Sequence, residues 1–259
     1  MSAVLRRPLG LVSYNLAVYR RTWRNGVIIS FVSPLLFLAG MGLGVGHLIG
    51  RSTGPVEGMS YVSFIAPGLL AATTMQTAAF ETTFPILGKI QWMRIYEAVL
   101  STPLSVGDVL LGEVAWLALR LTLVATIFTA VMVALRISHS ALVVLSIPVA
   151  VLTGLAFGLP IMAYAATQHR DSGFAALNRF IVLPLLLISG TFFPIERLPG
   201  SVGALVWATP LAHGVALARG LTVGQVRVAP AVAHLAVLVL YCGAGLLLAR
   251  RTLTRRLVS

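Results

Sequence analysis

Val109–Leu135, VLLGEVAWLALRLTLVATIFTAVMVAL, is followed after five residues by Ala141–Thr167, ALVVLSIPVAVLTGLAFGLPIMAYAAT, and these two runs decide the fold class. Each exceeds the roughly 20 apolar residues that a helix needs to cross a bilayer. The rest of the chain agrees with them: 58% of its 259 residues are hydrophobic, 10% are charged, and the mean hydropathy is +0.95. A water-soluble domain does not bury that much apolar surface. Working outward, Val27–Gly46, Tyr61–Phe84, Phe174–Phe193 and Val228–Leu248 complete a set of six expected membrane spans. The expectation is an all-α membrane protein, a single transmembrane domain over residues 1–259.

Val202–Leu217 is apolar but short, carries Pro210, His213 and Gly214, and is set off by Pro194 and Pro199. It reads as a re-entrant or interfacial segment within residues 194–220. The cations support this choice. With both termini inside and six crossings, 13 Lys and Arg fall on the cytoplasmic side against 5 outside, with Arg120 inside a span. A seventh crossing would place Arg250, Arg251, Arg255 and Arg256 outside, against the positive-inside rule. The net charge of +12 therefore serves orientation and lipid headgroups rather than nucleic acid.

Residues 8–24 precede the first span. Leu9, Val12, Leu16, Tyr19 and Trp23 recur at steps of three and four, and Asn15, Arg20, Arg21 and Arg24 fall largely elsewhere. The pattern predicts an amphipathic helix on the cytoplasmic interface, or packed on protein, rather than a cleavable signal. Cys242 stands alone in an apolar run and excludes an internal disulfide.

The segment Gly88–Asp108, GKIQWMRIYEAVLSTPLSVGD, stands between the second and third spans. Ile90, Met93, Tyr96, Val99 and Leu100 form an apolar stripe on a predicted short helix, with Gln91, Arg94 and Glu97 elsewhere on it. Pro103 ends that helix, and Ser105 with Asp108 makes a capping pattern for the third span. Such a helix either lies on the membrane or presents a surface for a partner.

The segments EAVLSTPLS (97–105), AAFETTFPILG (78–88) and ISGTFFPIERLPGSVGALVWATPLAHGVALARGL (188–221) resemble the ABC-2 type transporter permease family. Within it they are most similar to permeases of the nodulation lipo-oligosaccharide exporter and daunorubicin-resistance types. The pattern Ser189, Gly190, Phe192, Phe193, Pro194, Leu198 and Pro199 carries most of the resemblance. The resemblance implies a six-helix permease in the bacterial plasma membrane that pairs with a second copy, identical or homologous, and with two cytoplasmic ATPase subunits. It implies a coupling loop over residues 88–105, with Gln91, Arg94, Tyr96, Glu97 and Leu100 docking on the ATPase. The interfacial helix, with Arg20, Arg21, Trp23 and Arg24, would be a second contact, and the re-entrant motif would comprise Ser189, Gly190, Pro194, Pro199 and Pro210.

The chain itself reads as no enzyme. A P-loop needs Gly-Lys-Ser/Thr to cradle phosphates, and the only lysine, Lys89, is followed by Ile90. ATP and Mg are expected in the partner, with no cofactor here. His47, His139, His169, His213 and His234 are scattered without ligand spacing, so no metal is expected. Asp108 and Asp171 both sit at expected cytoplasmic positions, which argues against a membrane hydrolase.

Charges inside spans cost at least about 2.5 kcal/mol each and demand an account. Glu81, Glu113 and Arg120 are the candidates for a polar or gating role. Glu113 and Arg120 share a helix face without reaching one another. Arg120 is placed to stack on Trp116 or to pair with Glu81; a structural pair, water access and a substrate role all remain open. Gly40, Gly42, Gly44 and Gly46 suggest close helix packing in the first span. The leading expectation is export of an amphipathic, drug-like or lipid-linked cargo. The alternative is a proton-coupled secondary transporter working through Glu81, Glu113 and Arg120.

Overall fold

The computed structural model describes residues 10–21, 36, 38–40, 58–138 and 140–258, and all regular elements among them are helical. Trp23, Arg24, His47, His139, Gly42, Gly44, Gly46 and most of the expected first span lie outside the described residues.

Helix α1 covers residues 10–21. Helix α2, Tyr61–Thr82, is capped by the Ser60 side chain, which accepts from the Ser63 amide. It continues through α3, Phe84–Leu87, into a widened turn over Gly88–Trp92. Helix α4 is Ile95–Leu100 and α5 is Val106–Ala134. A tight turn over Ala141–Leu145 leads into α6, Ser146–Thr167. Then come α7, Ser172–Leu177, a second widened turn Asn178–Val182, and α8, Leu183–Ile188. Helices α9, Gly200–Trp207, and α10, Pro210–Val223, precede the long α11, Val228–Val258.

Among the described residues, four stretches are long and apolar enough to cross a membrane: Tyr61–Trp92, Val106–Ala134, Ala141–Thr167 and Val228–Val258. The α9–α10 pair, bent by 84°, would make a fifth if counted as one crossing. Pro210 allows this bend, because its ring fits the first turn of a helix but cannot continue one. The fifth expected span, Phe174–Phe193, differs from what the pattern predicts. Its helical run is Ser172–Ile188, shorter than the other four, because the chain leaves the helix at Ser189 and turns left-handed at Gly190 (φ 82°).

Helices α2, α6 and α11 run in one direction and α5 in the other, so the bundle has two distinct ends. At one end Leu11, Ile86, Ile90, Tyr96, Val109, Phe174 and Leu253 share a core cluster. At the other, Phe64, Phe128, Met132, Ile137 and Val143 pack together, joined by Leu38. Among the described helices, close approach falls at Gly245 and Gly214; of the glycines expected in the first span only Gly40 is described. A Cβ on Gly245 of α11 would sit 2.6 Å from Pro160 Cδ, and one on Gly214 of α10 would sit 2.2 Å from Thr153 Oγ1, whereas Gly40 faces open space.

Two further expectations are corrected. The single helix predicted across Ile90–Leu100 is two pieces, because Arg94 adopts a left-handed conformation (φ 48°) between the widened turn and α4. Met93, placed in the apolar stripe, consequently turns outward at 55% exposure, as does Trp92 at 63%. On α1, Asn15 was assigned to the polar side but is buried beside Leu11, while Arg20 and Arg21 remain exposed.

Candidate functional site

The segment between α2 and α5 is held by one carboxylate. Ser105 and Asp108 form the predicted capping box: the Ser105 hydroxyl accepts from the Asp108 amide at 3.2 Å, and Asp108 Oδ2 accepts from the Ser105 amide at 2.9 Å. This cap starts α5 early enough that Glu113 points into the bundle. The widened turn Gly88–Trp92 brings Lys89 to meet it, with Nζ at 2.6 Å and 2.8 Å from the two carboxylate oxygens. Tyr96 completes the group, its hydroxyl donating to Glu113 Oε1 at 3.0 Å.

All three side chains are buried. Burial pushes the Tyr96 phenol well above its ordinary range, and the neighbouring Glu113 charge and hydrogen bond push it further the same way. Tyr96 therefore stays a neutral donor. A buried pair of this kind adds little net stability over an apolar substitute, but removing one partner strands a charge, so the pair enforces position. Here it locks α4 and the preceding turn onto α5.

Because Tyr96 faces inward, the exposed edge of this segment consists of other residues. Trp92, Met93, Arg94, Glu97 and Ala98 are exposed, whereas Gln91 and Leu100 are half-buried. Arg94 and Glu97 approach to 3.9 Å but remain 74% and 59% exposed, so solvent screens their attraction and both stay available. The edge combines two large apolar side chains with one charge of each sign.

A second buried pair lies alongside. Arg120 Nε donates to Glu81 Oε1 at 2.9 Å, which joins α2 to α5. The Arg120 guanidinium lies 4.4 Å from the Tyr19 ring centroid, and Tyr19 meets Trp116 edge-on at 5.8 Å. Arg120 thus pairs with Glu81 and stacks on an aromatic ring of α1 rather than on Trp116. Arg120 Nη1, Asn15 Nδ2 and the Tyr19 hydroxyl are buried without a hydrogen-bond partner among the described residues.

At the opposite end the Ser189–Pro199 motif folds over the start of α2. Ser189 and Thr191 share a hydroxyl hydrogen bond at 3.1 Å, and Tyr61 donates to Phe192 O at 3.4 Å. Arg219 on α10 donates to Gly190 O at 2.6 Å and to Phe64 O at 3.3 Å, with its guanidinium 3.8 Å from the Phe64 ring centroid. Pro194 and Pro199 bracket a tight turn at Ile195–Arg197, and Pro210 opens α10. The sequence pattern assigns no site role to Lys89 or Arg219. The signal was faint in both cases: a lone lysine beside an apolar run, and an arginine one turn from a helix end.

The two exposed span faces differ in chemistry. The hydropathic core of α11 is 11% buried, and Val232, Leu235, Val239, Leu240, Leu247 and Leu248 are exposed along it. That face suits lipid. The α2–α7 face instead carries a cleft of about 490 Å³ lined by Gln76, Thr83 and Asn178 together with Phe80, Phe84 and Phe174. Amide groups at that depth are costly against hydrocarbon, so this face suits water or a protein partner.

These features define a polytopic helical membrane protein with a rigidly mounted loop at one end and a broken helix pair at the other. Residues 9–222 match the sequence model of the ABC-2 type transporter, and the chain belongs to that family. It is similar to Nodulation protein J of Rhizobium leguminosarum bv. viciae, 34% identical over 258 residues and 97% of each chain. It is also similar to Nodulation protein J of Rhizobium meliloti, 31% identical over 94% of each chain. A more distant relative is the inner membrane transport permease YadH of Escherichia coli, 23% identical over 75% of this chain and 74% of that one.

Proposed function

We propose that this chain is the permease subunit of an ATP-driven exporter in the bacterial plasma membrane. The observation that carries the proposal is the exposed edge Trp92–Ala98 mounted on the buried Lys89–Glu113–Tyr96 group. A loop that transmits force must be stiff where it joins the bundle and accessible where it is pushed, and this one is both. Two cytoplasmic ATPase subunits dock on Gln91, Arg94, Glu97 and Leu100, with Trp92 and Met93 as apolar contacts, and they supply the ATP and Mg chemistry. Arg20 and Arg21 on α1, together with Trp23 and Arg24, form the second contact.

A second permease copy, identical or a close homologue, faces the α2–α7 surface, and the two enclose the pathway. Six spans cross the membrane, with Val27–Gly46 as the first, the α9–α10 pair re-entrant from outside, and both termini cytoplasmic. The mixed amide and aromatic lining of the 490 Å³ cleft fits an amphipathic cargo, drug-like or lipid-linked, including the kind of saccharide lipid suggested by the nodulation relatives. The ion pairs engage both carboxylates, Glu81 and Glu113, which leaves a proton-coupled mechanism without a free one of the two.

Transport into inside-out vesicles tests the proposal. Vesicles carrying the permease with a candidate ABC-type ATPase take up a fluorescent glycolipid only with ATP, and uptake survives an uncoupler. Uptake that ignores ATP and collapses with the proton gradient overturns the proposal.

A further inference from the structure

The elbow between α9 and α10 is pinned to α11 by two histidines. His213, in the first turn of α10, and His234, in the second turn of α11, bring their Nδ1 atoms to 2.7 Å. The other ring nitrogen of His213 lies 2.8 Å from the Trp207 carbonyl oxygen. A carbonyl only accepts, so His213 Nε2 carries hydrogen and, in the neutral ring, its Nδ1 accepts. His234 must then donate from Nδ1, which leaves its Nε2 as the free acceptor of the pair. The Trp207 ring stacks on His234 at 5.6 Å and 13°, and Tyr241, two turns further along α11, donates to Ala208 O at 2.6 Å. The elbow is thus held by two neighbouring contacts, one titratable and one not.

His234 also lines a crevice of about 620 Å³ with Gly224, Gln225, Arg227 and Pro230, at the end of the bundle remote from α4. Water entering there reaches the imidazole. The charged groups near the dyad are few. Arg227 shares the crevice, and the Tyr241 hydroxyl is occupied with Ala208 O. Arg219 on α10 is directed to Gly190 and Phe64, and Glu196 lines a separate pocket with Trp207 and Arg219. No carboxylate lines the crevice among the described residues, so nothing there stabilises a second positive charge.

We propose that His213 and His234 form a proton-operated latch that fixes the elbow of the broken helix pair to the last helix and is read from the side of the membrane facing the crevice. The dyad has three protonation states. In the neutral pair one N–H points at one lone pair. The first proton enters at His234 Nε2 and keeps the contact, because an imidazolium still donates from Nδ1, and the Trp207 face receives the added charge as a cation–π partner. The second proton must go to His213 Nδ1. It sets N–H against N–H at 2.7 Å, with two like charges, and the contact opens. The latch is therefore closed at neutral pH and in the singly charged state, and it is lost as pH falls far enough to charge both rings.

Trp207 emission reads the three states directly, since a stacked imidazolium quenches indole fluorescence. The full-length protein is placed in proteoliposomes, the Trp207→Phe signal is subtracted, and pH is stepped on one face at a time. The expected trace has two phases as pH falls: emission falls with the first proton and recovers in part when the second releases His234, His213 staying edge-on to the Trp207 ring at 5.6 Å. His213→Gln keeps an acceptor for His234 and should show the fall without the recovery. His234→Gln should lose the first fall and the recovery, and matched melting temperatures for the variants exclude misfolding as the cause. A flat or single-phase trace for the unaltered protein overturns the proposal, as does a response unchanged in either variant. A response to pH only on the α4 face overturns the sidedness.

Discussion

The two ends of the bundle solve one problem with different chemistry. Around α4, charge meets charge: Lys89 on Glu113 and Arg120 on Glu81 join loop to span and span to span. Around the α9–α10 elbow, carbonyls take that role, receiving Arg219, Tyr61, Tyr241 and His213. A carboxylate-centred contact fails abruptly when one partner is removed, because the other charge is stranded. A carbonyl-centred contact fails by one hydrogen bond at a time. The first arrangement suits a segment that moves as a unit under load. The second suits a segment that changes in small steps.

The largest predicted effect breaks the first arrangement. Glu113→Ala leaves Lys89 charged and buried, and costs about 3–5 kcal/mol, read as a lower melting temperature in nanodiscs. Adding Lys89→Met should recover most of it; failure to recover would show that Glu113 acts through something other than this pair.

Steric crowding at the other end comes next. Gly214→Ala drives a Cβ to 2.2 Å from Thr153 Oγ1, and costs about 1–3 kcal/mol by the same measurement. Thr153→Ala in the same chain should relieve it. Arg120→Met strands Glu81, which is 17% exposed and so partly hydrated; a loss of about 1–3 kcal/mol is expected. Limited proteolysis should then cut at α1 sooner, because Tyr19 has lost its cation.

The smallest effect is a gain. Arg94→Gly removes the penalty of a side chain at φ 48°, raising stability by about 1 kcal/mol. If stimulation of the ATPase falls while stability rises, the Arg94 side chain contributes to docking and not to the fold.

Local chemistry was the most legible part of the sequence. The Ser105–Asp108 capping box lies within one helical turn, and the four long apolar helices announce themselves by composition alone. Tyr96 belongs both to the apolar stripe and to the expected docking residues; it turns inward onto Glu113, in keeping with the stripe and not with docking. The outward turn of Met93 did not follow, because it depends on Arg94 leaving the helical region, and nothing in RIYEAVL marks that residue as left-handed. Lys89 and Glu113 are 24 residues apart, and they meet only because the turn at Gly88–Trp92 is widened, a feature with no compositional signature. Glu81 and Arg120 were paired as one option of several, since unpaired intramembrane charges are few and must find partners. The choice of Tyr19 as the surface on which Arg120 stacks required the position of α1.

The exposed edge of α4 is the proposed docking place of a separate ATPase. Glu97→Arg tests it most directly, because Glu97 is exposed and lies outside the buried Glu113 group, so charge reversal should leave melting unchanged. In the reconstituted complex it should abolish permease-dependent stimulation of ATP hydrolysis, with a partial return when a basic residue in the ATPase groove is made acidic. Full stimulation with Glu97→Arg, at wild-type expression and stability, would contradict the account.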